Sequence, residues 1–530
     1  MPGQEASASP HVDRSGIASA AAVIGLGNVI SRVLGLLREM VISNRFGAQP
    51  SVSAFRIASR TYSLFYELLI GGMIASALVP VLSEYAEKDR EDFSRLLGSL
   101  FLLLSALLCA IVLAAELAAP GIAALMGQGL DAELRALTAA LVRLTMPALL
   151  LMGLAGLLSA SLYSLKRPWY PAFMAAAFNG AVIVCGMALS TRLHIAALAV
   201  GVLMGALGQF GLQYAGVARS GIGFRWGAYH PAVRRMLALA LPVLTSLVVG
   251  QVQVVIDTNL ASHTGDQSIA WMANATTLIQ FPLGLVATAA SLGALPSLSR
   301  LALDEKHRQA FLATLAFSLR LVLILILPAT ALLAVLGTPL IRLLLEHGSF
   351  LPADTAATSA ALKLYLIGLP FAAVDQCLIL TFYARRDTLR PALVGVAAVG
   401  IYLAVALSTM GTLGMLGLVL ANSVQWLGHA LIMLALCRRR MGPIIGFGIG
   451  RTLAQSVLSC AAAAVVAAVA LRSLPQLAAS PLASELIDVA VPGILGAATY
   501  VLAMLGLHNQ DLISAYSAVR RMIFPTAEVS

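Results

Sequence analysis

Two neighbouring stretches, Ser31–Ala48 (SRVLGLLREMVISNRFGA) and Ala54–Gly72 (AFRIASRTYSLFYELLIGG), decide how this chain is read. Both belong to apolar runs between Gly16 and Tyr85, yet the first carries Arg32, Arg38 and Glu39 and the second Arg56, Arg60 and Glu67. A charge at bilayer depth costs about 2.5 to 3.5 kcal/mol on insertion scales, so it persists only against a wet cavity, a partner or a headgroup.

That the surroundings are a bilayer follows from composition. The 530 residues are 59% hydrophobic and 11% charged, with a mean hydropathy of +0.90, which places the chain among polytopic membrane proteins. Its apolar runs are long and continuous, without the alternation of a barrel strand, so the spans are helices that satisfy their own backbone. The polar first fifteen residues read as a disordered tail, and the apolar stretch after them is too long for a signal-peptide core. Five cysteines (Cys109, Cys185, Cys377, Cys437 and Cys460) stand singly in apolar contexts and read as packing residues.

Cutting at polar loops and Pro/Gly clusters predicts an all-α chain of about fourteen spans, from 17–43 to 484–507, each long enough for ~30 Å of hydrocarbon. With the amino terminus inside, 22 of the 34 Lys and Arg fall on inside segments and six on outside loops, so both termini are expected in the cytoplasm. This asymmetry accounts for the net charge of +10 without a nucleic-acid partner. The other basic residues lie within spans: Arg32, Arg38, Arg56 and Arg60 in the first two, then Arg143 and Arg320.

The chain also repeats. Pro80-x-Leu82-Ser83 recurs as Pro296-x-Leu298-Ser299, and Tyr163, Lys166, Pro171 and Ala172 line up with Tyr383, Arg386, Pro391 and Ala392, at offsets of 216 and 220 residues. Two six-helix halves in one orientation follow, with two added helices: a tail at 1–15, halves at 16–225 and 226–440, helices 13 and 14 within 441–507, and a tail at 508–530. Parallel repeats around a midplane site describe alternating-access transporters.

Helical spacing puts Arg56, Arg60, Ser63 and Glu67 on one stripe of helix 2 and Arg32 and Glu39 on one face of helix 1. Guanidinium groups offer the donor fork that suits phosphate oxygens, and diphosphate is the obvious membrane ligand. Alternatively, Arg38 and Arg56 snorkel while Arg32 and Arg60 pair with Glu39 and Glu67. Asp257 in helix 7 is a candidate for a coupling cation or proton, or else the partner of one of these arginines; Asp375 in helix 10 invites the same question. Gly337–Phe350 reads as an amphipathic surface helix. No metal-ligand spacing, phosphate loop or nucleophile elbow is present, and the loops are too short for an enzyme domain. The chain is therefore read as not an enzyme, without a cofactor.

The helix 1 stretch, VPVLSEY at the end of helix 2, FPLGLVATAASLGALPSLSRL in helix 8 and FYARRDTLRPALVG after helix 10 resemble the bacterial lipid II flippase (MurJ/MviN) family of the MOP exporter superfamily. The resemblance implies a flippase of the bacterial inner membrane that serves cell-wall peptidoglycan synthesis and cell shape. It would move an undecaprenyl-diphosphate-linked precursor to the outer leaflet, with the head group in a cationic cavity and the lipid tail in a groove near helices 13 and 14. Arg32 and Arg38 fall on family arginine positions with Glu39 beside them, and Arg60 on a basic position. Asp257 falls on a carboxylate tied to sodium in some members, and Asn422 near the same site; coupling would use sodium or protons. The chain departs from the pattern where arginines are expected, at Tyr66 or Glu67 and at Thr277, and where an aspartate is expected, at Ser53; Arg56 is an addition. Another polyprenyl-diphosphate glycan as substrate, or a non-transporting scaffold for cell-envelope enzymes, therefore stays open.

Overall fold

The computed structural model describes residues 14–513, apart from 226, 228, 303–306, 445 and 474–480. Among these residues every regular element is helical. Eleven helices are both long and apolar enough to cross a membrane: α2 (Pro50–Lys88), α3 (Arg90–Leu117), α4 (Ala132–Ser164), α5 (Trp169–Leu193), α6 (Ala196–Ala218), α9 (Arg308–Leu345), α10 (Pro352–Ala384), α11 (Leu389–Leu413), α12 (Met415–Met441), α13 (Ile449–Ser473) and α14, whose membrane stretch is Leu482–Gly506. Three more occupy the remaining expected spans with 33, 31 and 34 residues: α1 (Arg14–Phe46), α7 (Ala232–Ser262) and α8 (Ser268–Leu301). The chain is thus an all-α, multi-pass membrane protein, its long apolar helices keeping every backbone group bonded across hydrocarbon.

The internal repeat reappears in backbone geometry that side chains alone did not dictate. Lys166 and Arg386, 220 positions apart, both turn left-handed, with φ of 59° and 58°. In each case the next amide reaches back five residues, from Arg167 to the Leu162 carbonyl (2.8 Å) and from Asp387 to that of Phe382 (3.0 Å). His194 and Gly414 make a second such pair, at φ 47°, ψ −135° and φ 56°, ψ −133°. A positive φ is costly for a side-chain-bearing residue, so finding it at both Lys166 and Arg386 marks a turn the two halves share.

Contacts divide the chain into two compact units. One comprises residues up to Arg38, Thr61–Ala118 and Val142–Leu244; the other comprises Glu39–Arg60, Ala119–Leu141 and the chain from Thr245 onward. In the first unit α6 lies against α4 and α5, and α3 against α4. Ile70 of α2 is buried and packs on Gly153 and Gly156 of α4, where the missing Cβ admits it. The second unit repeats the arrangement with α12 against α10 and α11, then adds α13 and α14 against α9. Ile324, Cys460, Ala463, Tyr500 and Met504 form that added core, and the Tyr500 hydroxyl donates to the Ile324 carbonyl (2.9 Å).

Arg320, one of the charges within spans, serves the same junction. Its guanidinium holds both carboxylate oxygens of Asp511 (2.7 and 2.9 Å) and the Phe447 carbonyl. Arg143 instead donates to the Glu116 carbonyl (3.3 Å). Gly337–Phe350 is not a separate surface helix: α9 runs unbroken through Pro328 and Pro339 to Leu345, and only the residues beyond leave it. The amphipathic pattern there reflects the end of a long span rather than a helix lying flat.

Close approach of α10 and α12 rests on Gly368, where a Cβ would sit 2.6 Å from the Trp426 ring and 2.7 Å from the Ser423 Cα. Gly368→Ala should therefore cost about 1–3 kcal/mol of stability, the usual penalty of overpacking. Gly400→Ala in α11, where nothing lies within 4 Å, should not destabilise. Thermal unfolding of the two variants in detergent checks the contrast.

Candidate functional site

Helices α1 and α2 bring their charges to different places. In the first unit, Arg38 of α1 donates to the Asn179 side chain of α5 (3.1 Å), and Asn179 in turn donates to the Ser31 carbonyl (3.2 Å). Arg32 lies two turns back on α1, half-buried, and makes no hydrogen bond or ion pair among the described residues. Ser63 and Glu67 of α2 are exposed and likewise without partners among them. Glu67 opens a π-helical turn, Glu67–Gly71, followed by a second at Ile74–Leu78. Such wide turns shift the register of a helix, so the stripe expected from regular spacing does not continue past Glu67.

The second unit holds the paired charges. Both terminal nitrogens of Arg56 bond the Glu39 carboxylate, and one also reaches Asn274 of α8 (3.4 Å). The pair is nearly dry, with side chains 13% and 3% exposed. Glu39 therefore answers Arg56, not Arg32, because the turn between α1 and α2 folds the start of α2 back beside the end of α1. Arg60, one turn further along α2, donates to Thr258 (2.6 Å) and stands 3.7 Å from Asp257. The other Asp257 oxygen accepts from the Tyr402 hydroxyl (2.7 Å) and the Asn422 amide (3.1 Å). Asp257 and Asn422, singled out in sequence on helices 7 and 12, thus meet, and Arg60 joins them.

These residues do not fit a sodium ion as arranged. Sodium needs several oxygens that offer lone pairs, but both Asp257 oxygens face donors of this chain, and the Thr258 hydroxyl accepts from Arg60 while donating to the Val254 carbonyl (2.7 Å). The positive charge that an ion would bring is supplied by Arg60. Among the described residues no group of three His, Cys, Asp or Glu comes together either.

Sequence reasoning missed the neutral partners. Asn179, Asn274, Thr258 and Tyr402 carry no charge and are unremarkable one at a time, and only the packing of separate helices brings them to the arginines. His429 was missed too: it bonds Asp375 (2.7 Å), the acid that had no basic neighbour on its own helix. The spacing of Asn422, Gln425 and His429 on one face of an apolar span was the available signal.

The family model described as lipid II flippase MurJ matches residues 42–483. The chain belongs to the lipid II flippase MurJ family. Relatives include a probable lipid II flippase MurJ of Vibrio cholerae, 32% identical over 412 residues, covering 74% of this chain and 77% of the relative. That of Rhizobium meliloti is 29% identical over 520 residues, covering 94% and 96%. Among solved structures, a lipid II flippase MurJ in an inward closed conformation matches with a TM-score of 0.77 at 24% identity, covering 93% of this chain and all (100%) of that one. An inward-facing multidrug resistance MATE transporter of the MOP superfamily matches with a TM-score of 0.69 at 12% identity, over 78% and 94%. The likeness to these two structures establishes the fold.

Where this MurJ family member departs from the expected pattern, the local structure is built for other contacts. Ser53, in place of an aspartate, is fully buried with its hydroxyl unpartnered among the described residues. Thr277, in place of an arginine, bonds back to the Ala273 carbonyl (3.0 Å) within its own helix. The added Arg56 is answered by Glu39, so losing one partner strands the other. Glu39→Leu should cost about 3–5 kcal/mol, the usual cost of breaking a buried pair. Glu39→Leu with Arg56→Met should recover most of that loss, and thermal unfolding of the single and double variants in detergent measures the difference.

Proposed function

We propose that this chain is a flippase of the bacterial cytoplasmic membrane that moves a polyprenyl-diphosphate-linked peptidoglycan precursor of the lipid II type to the outer leaflet. Both termini would be cytoplasmic. Family membership and the names of the relatives support the reaction and the membrane. The observation that carries it in this chain is Arg32: a half-buried guanidinium near the middle of α1, on the family motif, without a protein partner among the described residues. Arg56 and Arg60 are held by Glu39, Asp257 and Thr258, so the work of binding an anion falls on Arg32 and Arg38. A diphosphate offers the charge and the lone pairs that such a guanidinium lacks.

An apolar surface on the last two helices supports the expected groove for the lipid tail. Leu458, Ser459, Ala462, Val466 and Leu507 line a shallow, almost wholly apolar groove of about 700 Å³ on α13 and the end of α14. A prenyl chain requires only such a surface. A second reading, a different polyprenyl-diphosphate glycan, is favoured by the departures at Tyr66 or Glu67 and at Thr277, where family arginines are expected. A scaffold for cell-envelope enzymes would be favoured by the pairing of Arg56 and Arg60, yet it gives no use for an unpaired Arg32.

Complementation of a strain depleted of its lipid II flippase tests the proposal. The chain should restore growth, and Arg32→Ala should abolish rescue at equal membrane abundance. Failure of the abundant, folded chain to rescue counts against lipid II, and rescue that survives Arg32→Ala removes that arginine from the mechanism.

A further inference from the structure

A second polar site lies in the carboxyl-terminal unit. His429 of α12 bonds Asp375 of α10 through its Nδ1 (2.7 Å), and the two side chains are only 12% and 13% exposed. His429 is fifteenth of the 27 residues of α12, and so near the middle of the span. The pair forms along the seam that Gly368 opens: Ser423 donates to the Leu364 carbonyl (2.7 Å), Trp426 packs on Gly368, and His429 meets Asp375 two turns beyond.

No cation of the surrounding helices balances Asp375 among the described residues. On α10 itself, Lys363 is exposed more than three turns away, Arg385 caps the other end nearly three turns on and lies over the Phe311 ring, Asp354 bonds Trp271, and Tyr365 and Cys377 are uncharged; Arg308 at the start of α9 donates to the Met441 carbonyl (2.9 Å). Helix α8 carries no charged residue before Arg300, and Arg320 of α9 is held by Asp511. Helix α11 brings Tyr402, which is bonded to Asp257, and Arg390, paired with Asp387 at its cytoplasmic end. Helix α7 brings Asp257, answered by Arg60, and on α12 the next charges are Arg438–Arg440 at its end. With a neutral imidazole the pair is a net negative charge buried in the membrane; with one proton more it is a neutral ion pair. An uncompensated charge in such surroundings is costly, and imidazole is the side chain suited to removing it reversibly near neutral pH.

We propose that the His429–Asp375 pair is a proton-binding site. Nδ1–H points to the carboxylate, so a proton from water adds at Nε2, which makes no hydrogen bond among the described residues. Asn422, Gln425 and His429 share one face of α12, and Gln425 exchanges two amide bonds with Gln253 of α7 (2.5 and 2.9 Å), one turn before Asp257. The polar face of α12 thus runs from His429 past Gln425 to Asn422, which donates to Asp257 (3.1 Å). That the proton drives translocation rests on the transport reading above; that it binds does not.

Trp426 reports on the site, because it lies one turn before His429 on the same helix and an imidazolium quenches indole emission. Its signal is the difference between the emission of the purified protein in detergent and that of the Trp426→Phe variant. On lowering the pH from about 8 to 5 this signal should fall in one step. His429→Gln should abolish the step, and Asp375→Asn, which keeps the shape but removes the counter-charge, should change its midpoint. A flat signal in the unaltered protein, or a step that survives His429→Gln in a variant with an unchanged unfolding temperature, overturns the proposal. A proper titration combined with failed complementation by the unaltered chain removes the transport reading and leaves the proton site standing.

Discussion

Every charge placed in hydrocarbon must be answered, and the structure is arranged around how each one is. A guanidinium cannot escape by deprotonation, so an arginine in a span is answered by a carboxylate, by carbonyls, by water or by a ligand. Arg320 takes Asp511 and a carbonyl, and by doing so ties the chain after α14 to α9. Arg56 takes Glu39, Arg60 takes Asp257 and Thr258, and Arg38 takes Asn179. Arg32 makes no such contact among the described residues, which is why the proposal puts the anionic ligand there.

The paired charges have a second consequence. Glu39 and Arg56 are too dry to be idle, since separating them would bury an uncompensated charge; they fix the turn between α1 and α2. Arg60 at Asp257 gives the carboxyl-terminal unit a built-in cation beside its carboxylate. The carboxylates of Glu39 and Asp257, of the wrong sign for a phosphate, are thereby neutralised within the protein.

The fold was largely legible in the sequence because hydropathy and turn chemistry act locally. Fourteen spans, the six-plus-six repeat and the two additional helices all came from run length and from motifs such as Tyr163–Ala172 and Tyr383–Ala392. What spacing alone could not give was the partner of each charge. A regular helix placed Arg56, Arg60, Ser63 and Glu67 on one stripe, but the π-helical turns from Glu67 onward end that stripe, and the tight turn before Pro50 hands Glu39 to Arg56. Asp257 and Asn422 could be named from the family pattern; Tyr402, which completes their contact, could not, since a tyrosine in an apolar span reads as core. The end of α9 misled for a similar reason: a proline and two glycines around Gly337–Phe350 suggested a break that tertiary packing does not impose.

On the proposed function, Arg32 holds the diphosphate of a lipid-linked precursor. Native mass spectrometry of the purified protein, mixed with lipid II and with a bulk anionic phospholipid in separate samples, measures this most directly. The account predicts a lipid II adduct that outcompetes the phospholipid and is lost in Arg32→Ala while Gly400→Ala retains it. An adduct of equal intensity in Arg32→Ala, or no preference for lipid II over the phospholipid, would contradict it.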